Sequence, residues 1–435
     1  MTFYTERIKC IFCKSSNLQN LLLNDLEAPL SWSLKEKEID NNIGFMPFNI
    51  QNCKNCNNCQ IKYIGDLDII YGSNHVDNYG IIKNEKFNLF AKFIIDNSEK
   101  INNIIEIGTC YTDLANNILN KKDMDYTIIE PSLINENKNQ KIKYIKNYIE
   151  NVDLLEIKAN TLIMSDVYEH FYNPVEIIEK IQNSNIEYIY MNHPHFDYMI
   201  KNNVLLILNT EHTFIIEHQY LFSLFENFGF ELSNLKNYNN HSLFLEFKRT
   251  KIYNNLLYNI NTLNYTKKFI NEIEIKIKEV NDYMKNNREY YIWPCSIHSI
   301  TLFQYGMNYK KLSGILDNSS NKIGKKLNCY NLSCYSFDEI INKEDNNICI
   351  FIGGNGKKIM DYLLNNKKIE ILFNHRIQEA IGDELLKKID TFKDLNYKGI
   401  FSTSTKTVKI VLMVMIVTMF MTLTKLIQTL FLYES

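Results

Sequence analysis

Four cysteines carry the clearest chemistry in this chain. Cys10-x-x-Cys13 and Cys53-x-x-Cys56 form two pairs with 39 residues between them. Each pair can wrap one face of a metal, and two pairs supply the four thiolates of a closed tetrahedral zinc site. A closed site keeps no position for water, so its expected role is structural, stabilising a segment too small to bury its own core. Redox pairs or unrelated thiols are the alternative. Cys59 is an alternate ligand that stands outside the two-by-two pattern.

A second set of residues sits where apolar runs end. Ile104-Ile105-Glu106-Ile107-Gly108 leads into Thr109-Cys110-Tyr111-Thr112, the pattern of a buried strand entering a loop and helix. A glycine there lets the backbone approach a ligand, and the following helix N-terminus favours an anionic group. Tyr126-Thr127-Ile128-Ile129-Glu130 ends in a carboxylate 24 residues after Glu106, where an acid can accept hydrogen bonds from ribose hydroxyls. Leu162-Ile163-Met164-Ser165-Asp166 ends a third run, followed by Tyr168-Glu169-His170 and the helix entry Asn173-Pro174. A Rossmann-like domain for another nucleotide is the alternative reading of these strand ends.

Two further Glu-His pairs can move protons. Glu211-His212 lies in Asn209-Thr210-Glu211-His212-Thr213-Phe214, and Glu217-His218 follows six residues on, where a helix is expected. A histidine titrating near the working pH suits a general base, and a neighbouring carboxylate can orient it. His212 as a surface or capping residue is the bland alternative.

The elements that must position these groups are legible as periodic runs. Apolar runs at 104–107, 126–129, 161–164, 187–191 and 242–247 read as strands. Helical stretches near 86–97, 112–120, 174–182 and 217–228 lie among them, and alternation of this kind argues a doubly wound α/β domain. A charged stretch from 251 to 288 lacks Gly and Pro and reads as a helical connector. A second α/β pattern follows, with strands expected at 291–294, 312–317 and 348–352 and turn residues after them.

Length and composition set the frame. A chain of 435 residues exceeds one ordinary core, so two or three domains are expected. With 45% hydrophobic and 23% charged residues the composition is that of a globular protein. The net charge of −2 gives no global field for nucleic acid, and none is expected as a partner. No secretory signal opens the chain, so a cytoplasmic, reducing location is expected, and the ten cysteines read as ligands or thiols rather than disulfides. The apolar run 410–424 is shorter than the roughly 17–25 residues of a spanning helix. It is the one candidate membrane anchor, and an interfacial helix or an extension of little function is favoured over it.

Across residues 10–372 the chain resembles the sugar C-methyltransferase family, which builds branched-chain deoxysugars. Cys53-x-x-Cys56-x-x-x-Gln60 is similar to that family's CxxCGLVQ signature, and Tyr168-Glu169-His170-x-x-x-Pro174 to its EH…P segment. Trp293-Pro294, Gly314-Ile315-Leu316-Asp317-Asn318, Lys322-Ile323-Gly324 and Gly353-Gly354 match its C-terminal part. Two departures stand out: Thr112 replaces a second glycine of the glycine-rich turn, and Pro294-Cys295-Ser296-Ile297-His298 replaces a small-residue loop.

The resemblance implies an α/β fold in which a class I, Rossmann-like methyltransferase domain lies between a small zinc module and a second Rossmann-like domain. The expected boundaries are 1–65 for the zinc module, 66–250 for the methyltransferase domain, 251–288 for the connector, 289–395 for the second domain and 396–435 for a tail. It implies S-adenosyl-L-methionine as methyl donor, held by Glu106, Gly108, Glu130, Asp166 and Tyr71, with zinc on Cys10, Cys13, Cys53 and Cys56. A Glu-His pair placed like Glu211-His212 before Gly229-Phe230 supplies the family's base, with His218 the competing assignment. The substrate would be a nucleotide-linked keto-sugar, deprotonated next to its carbonyl, with His170 and Tyr71 or Tyr79 as donors to the enolate oxygen. Zinc would stay remote from that chemistry. A monomer or homodimer is expected. A methyltransferase for RNA or protein, and a non-catalytic zinc-dependent scaffold, are the alternatives.

Overall fold

The computed structural model describes residues 3–30, 34–35, 44–71, 81–96, 101–109, 112–132, 139–202, 204, 207, 209–251, 261–285, 289–341, 346–351 and 370–373. Chain contacts divide the protein into Met1–His375 and Arg376–Ser435, and the second unit lies wholly outside the described residues. So do His75, Tyr79, the Gly353–Gly356 turn and the tail with its apolar run. Among the described residues no helix is long and apolar enough to cross a membrane.

A seven-stranded sheet forms the middle of the first unit. Its strands in chain order are Ile104–Ile107, Tyr126–Ile129, Ile142–Ile145, Thr161–Ser165, Tyr188–Pro194, Phe230–Tyr238 and Ser242–Arg249. Across the sheet they run third, second, first, fourth, fifth, seventh, sixth. The first five are parallel, and the last two form a hairpin whose seventh strand lies antiparallel to the fifth. This is a Rossmann-like sheet closed at one edge by an antiparallel hairpin. Its centre is buried on both faces, which is why its strands read as continuous Ile, Leu and Met runs rather than alternating ones. Ile105, Ile107, Leu162 and Met164 face one core cluster, whereas Ile104, Ile128 and Ile163 face another with Phe90.

The helices are set by local signals. Pro174–Gln182 starts on a proline, carries Glu176 in its first turn and Lys180 in its last, and buries Ile177, Ile178 and Ile181. Ile81–Asp96, Asp113–Leu119 and His218–Asn227 occupy three of the other expected helical stretches. Among the described residues the connector contains one helix, Thr262–Tyr283.

A second seven-stranded sheet follows. Strands Glu289–Trp293, Leu312–Leu316, Leu332–Tyr335, Asn346–Phe351 and Glu370–Phe373 lie in it in the order third, second, first, fourth, fifth. Those are five of the six positions of the doubly wound order, spanning both of its halves. Its far edge is completed by Lys326–Leu327 and by Leu34–Lys35, a strand from the N-terminal region.

The N-terminal region also builds a four-stranded antiparallel sheet from Leu18–Asn20, Ile50–Cys53, Cys59–Ile61 and one distant strand, Phe214–Ile215. The pairing sets Phe214 opposite Gln60 and Ile215 opposite Cys59. Phe12, between Cys10 and Cys13, meets Phe214 edge-on at 5.2 Å, and Phe214 meets Tyr168 edge-on at 5.8 Å. Edge-to-face pairs of this kind contribute about 0.5–1.5 kcal/mol beyond their buried area. Phe12 also contacts Tyr220 at 5.7 Å. Phe12→Ala should therefore cost about 3–5 kcal/mol, read as a fall in the denaturant midpoint. A change below about 1 kcal/mol would show that this ring chain does not hold the regions together.

Candidate functional site

The four thiols of the two Cys pairs converge. Their sulfurs all lie within 4.8 Å of one another, with Cys10 to Cys56 at 3.6 Å and Cys13 to Cys53 at 3.4 Å. A tetrahedron with metal–sulfur bonds of about 2.3 Å has edges of roughly 3.8 Å, so the set fits zinc. Each pair makes the same turn. Lys14 N donates to Cys10 O at 2.9 Å and Asn57 N to Cys53 O at 2.8 Å. Lys14 and Asn57 both take left-handed backbone, with φ of 58° and 59°. Asn tolerates that conformation best among residues with a side chain, which explains how it stands at the glycine position of the signature. Cys10 and Cys56 share one hydrogen, which holds the Cys56 thiol below its usual range and the Cys10 thiol above it. Cys59 lies outside the cluster, buried beside Asn52, and burial pushes its thiol up to about 12.

The four-cysteine knuckle connects directly to the loop carrying the expected base. Ile11 N donates to Gln60 Oε1 at 3.0 Å, and Gln60 lies opposite Phe214. Arg7 is buried, and its guanidinium donates to Thr213 O at 2.9 Å and to Tyr172 O at 3.0 Å. Ile61 N donates to the same Thr213 carbonyl at 2.9 Å. Thr213 N in turn donates to Glu169 O at 3.1 Å, and its hydroxyl to Phe171 O at 3.0 Å. Upstream, Asn209 Oδ1 accepts from Glu211 N at 2.8 Å and His212 N at 2.9 Å. An Asx turn thus fixes the backbone of the Glu-His pair. The four-cysteine module therefore supplies a strand and an arginine that hold the residues next to His212.

His212 meets His170 at a ring separation of 5.0 Å, nearly perpendicular. One ligand-type atom from each of Glu169, His170 and His212 lies within 4.8 Å of the others. His170 Nδ1 bonds the Tyr71 hydroxyl at 2.8 Å, and its Nε2 lies 3.9 Å from Glu169 Oε1. Burial, then the Glu211 charge, raises Tyr71 well above its usual range, so its hydroxyl keeps its proton. His218 is the first residue of its helix and is committed elsewhere. Its Nδ1 lies 3.2 Å from Asp197 Oδ2, and its Nε2 faces Pro194 O at 3.4 Å. His193 is fully buried, and burial pushes it down to about 3, so it stays neutral.

The acids at the strand ends lie at the carboxyl edge of the central sheet, where open α/β sheets bind their ligands. Gly108 has φ of +74°, and a Cβ there would sit 2.2 Å from Val167 Cγ2, so only glycine fits. Thr112 takes φ of −98°, which any residue adopts, so the missing second glycine causes no backbone strain. Glu130 is buried, and one of its oxygens accepts from Ser132 N at 2.8 Å. Ser132 Oγ donates to the carbonyl of Tyr71. Tyr71 therefore touches the second strand end through its backbone and His170 through its hydroxyl. Asp166 is left-handed at φ of 53° and pairs with buried Lys86 at 2.6 Å. Glu106 lies deeper, 1% exposed, accepting from the Tyr126 hydroxyl at 2.7 Å. Burial raises its pKa to about 8.

Arg7 and Lys86 carried no role in the sequence reading, and Asn209, Thr213 and Glu169 stood there only as members of motifs. Asn209 had a usable signal, a turn former two residues before a polar pair. Arg7 had another, as one of four arginines in a chain whose basic residues are otherwise lysines.

No family model matches the sequence, and no curated protein does. Among solved structures the chain is similar to the N-terminal domain of EvdMO1 with SAH bound, at 10% identity and a TM-score of 0.28, over 38% of this chain and 81% of that one. It is similar to the Burkholderia thailandensis 1,6-didemethyltoxoflavin-N1-methyltransferase, at 8% identity and a TM-score of 0.32, over 39% and 80%. It is also similar to human N-acetylserotonin methyltransferase in complex with SAM, at 11% identity and a TM-score of 0.34, over 39% and 54%. Likeness this low carries no functional weight, and the reading below rests on the residues of this chain.

Chelating zinc should raise amide exchange at Ile61 and across residues 209–216 together with the two knuckles. Protection that persists at 209–216 would show that the base loop stands without the module. Glu106 gives a pH signature. Its folded pKa of about 8 lies above the ordinary 4.5, so the native state binds the extra proton between those values. Its contribution is fully present below the ordinary value and is lost as pH rises through the folded one. Glu106→Gln should flatten the fall of stability across that window, and an unchanged slope would mean Glu106 is ionised in the native state.

Proposed function

We propose that the chain is a methyltransferase using S-adenosyl-L-methionine, acting on a carbon next to the carbonyl of a nucleotide-linked keto-sugar. The observation that carries this reading is Tyr71, which joins the Glu130 strand end to His170 and so sets a nucleoside-type site beside a histidine pair. The residues present fit the donor. Glu130 is the acid for the ribose hydroxyls, Gly108 gives the close backbone approach, and Asp166 lines the same edge. The bound donor supplies a methyl group on a sulfonium, so transfer needs no metal at the reacting carbon. Zinc on Cys10, Cys13, Cys53 and Cys56 is structural in this reading. The proposed organisation keeps the boundaries 1–65, 66–250, 251–288, 289–395 and 396–435.

His212 takes the proton from the substrate carbon, and Glu211 beside it favours the imidazolium that results. Deprotonation puts negative charge on the carbonyl oxygen, and the Tyr71 hydroxyl is the donor aimed at it. His218, already paired with Asp197, is a poor base by comparison. The same reading places the protein in the cytoplasm, as a monomer or homodimer.

Calorimetry with S-adenosylhomocysteine tests the donor site. Wild type should bind, and Glu130→Ala should weaken binding at least tenfold. No binding by wild type would leave the non-catalytic scaffold reading standing. His212→Ala should keep that affinity and lose methyl transfer by about 10²-fold or more, measured with labelled S-adenosylmethionine and a panel of nucleotide-linked keto-sugars. Full activity in the variant would move the base to His170 or His218. Transfer to RNA or protein, with none to the panel, would replace the sugar reading.

A further inference from the structure

Lys86 has no part in the reaction proposed above, yet it forms a buried ion pair with Asp166 at the same sheet edge. Lys86 is 6% exposed, and its ammonium donates to Asp166 Oδ2 at 2.6 Å. An ammonium has three hydrogens to give, and among the described residues Lys86 uses one, on Asp166. We propose that this pair receives the aminocarboxylate end of S-adenosyl-L-methionine, with the ligand's carboxylate on Lys86 and its ammonium on Asp166. This inference rests on the methyltransferase reading above and adds to that site a charge-specific subsite, remote from the ribose.

The place follows from the strand ends. Strand Ile104–Ile107 has Tyr126–Ile129 on one side and Thr161–Ser165 on the other, all parallel. Ile107 lies opposite both Ile129 and Met164, so Glu130 and Asp166 end the two flanking strands. They stand two strand spacings apart, roughly 10 Å, with Gly108 between them. The turn carrying Asp166 touches that glycine, since a Cβ on Gly108 would meet Val167 Cγ2 at 2.2 Å. A ligand with its ribose on Glu130 and its middle over Gly108 therefore has its far end at Asp166. The chain from ribose through sulfur to the amino acid carbon can span that length. Lys86 reaches the same point from helix Ile81–Asp96. Phe87, Phe90, Ala91, Phe93 and Ile94 of that helix lie in one core cluster with Ile104 and Ile163, which fixes it without the ion pair. A buried pair recovers little beyond its own desolvation, so stability is a weak reason for this one. The Asp166 side chain is 25% exposed against 8% for Lys86, so the pair opens on its acidic side. Asp166 also holds left-handed backbone, with φ of 53°, a strain of the kind kept at ligand sites.

The charges balance. Without ligand, Lys86 and Asp166 neutralise each other. An aminocarboxylate is a zwitterion, so it brings one charge of each sign and leaves no buried charge without an opposite one. A ligand end lacking both groups offers neither residue a partner. The subsite therefore selects ligands that carry both groups over nucleosides that carry neither. S-adenosylhomocysteine keeps both, so the pair holds donor and spent product alike. It contributes to affinity rather than to the methyl-transfer step.

Calorimetry on the full-length protein with three ligands tests the subsite. S-adenosylhomocysteine carries both charged groups, its decarboxylated analogue S-adenosyl-3-thiopropylamine only the amine, and 5′-methylthioadenosine neither. Wild type should bind S-adenosylhomocysteine about tenfold or more tightly than either of the others. Lys86→Met should weaken S-adenosylhomocysteine by about tenfold or more and leave 5′-methylthioadenosine within about twofold. The same variant should bind the decarboxylated analogue more tightly than wild type does, because no ammonium competes for Asp166. Asp166→Asn, which keeps a residue tolerant of left-handed backbone, should bind that analogue more weakly. This opposite response is one that a merely structural ion pair would not give. Equal losses for all three ligands in Lys86→Met, or no loss for S-adenosylhomocysteine, overturn the subsite. A poorly folded variant lowers the number of sites rather than the ratio of affinities, and the wild-type comparison needs no variant. Wild type that binds S-adenosylhomocysteine no more tightly than 5′-methylthioadenosine sinks the subsite alone. Wild type that binds no S-adenosylhomocysteine sinks the methyltransferase reading with it.

Discussion

The peptide at Thr213 has its amide on Glu169, its carbonyl shared between Arg7 and Ile61, and its side chain on Phe171. Three separate stretches of chain meet there: the N-terminal arm, the zinc-module strand and the turn after the fourth strand of the central sheet. His212 precedes this residue and Phe214 follows it into the module's sheet. A histidine on a surface loop would ordinarily share the loop's mobility. Here the loop is an edge strand on one side and an Asx turn on the other, so its backbone is held at both ends. Productive geometry in such sites has to be kept within roughly 0.5 Å, and hydrogen bonds from every side of one residue are a direct means to it.

The choice of arginine at position 7 follows from the same constraint. Three backbone carbonyls, of Ile61, Tyr172 and Thr213, converge on one buried cation. An ammonium has three donors on a mobile stem, whereas a guanidinium has five in a fixed plane and keeps its charge when buried. Burial lowers Arg7 only to about 10, so it remains a cation at neutral pH. Arg249 repeats the device. It collects the carbonyls of Ile181, Gln182, Ser184 and Ile186 around the C-terminus of the helix Pro174–Gln182. Lys180 shows the other solution, an ammonium with three donors on the carbonyls of Ile149, Glu150 and Val152.

What could be read from sequence followed the range of the interactions. The strands at 104–107 and 126–129 and the helix at 174–182 match the structure residue for residue, because parallel burial and helix ends leave local signals. The third strand, Ile142–Ile145, was not legible. It alternates, with Ile142 buried, Lys143 exposed and the rest half-buried, as an edge strand does. Strand Phe230–Tyr238 was hidden in the same way by exposed Glu231, Ser233, Lys236 and Asn237. The four zinc cysteines and the acids at strand ends were legible because their spacing is their chemistry. Glu169, Arg7 and Thr213 were not, since each acts through a partner far away in the chain. A pairing such as Phe214 with Gln60 leaves no periodic trace at either end.

The proposed zinc module then has a meaning beyond its own stability. Structural zinc sites contribute about 10–16 kcal/mol to folding in small peptides, far more than the few hydrogen bonds at Thr213. Part of that free energy is available to hold whatever the knuckle touches. Phe12 passes it to Phe214 and Tyr220 by ring contact, Ile11 passes it to Gln60 by a backbone bond, and Gln60 sits opposite Phe214 in the ladder. The module reaches the second sheet as well, through Leu34–Lys35 and the contact of Phe48 with Tyr305. A segment stabilised by metal and touching both sheets can fix the loop between them without a large core of its own. A closed thiolate site suits that task better than a catalytic one, because it offers no exchangeable position through which substrate or water could loosen it.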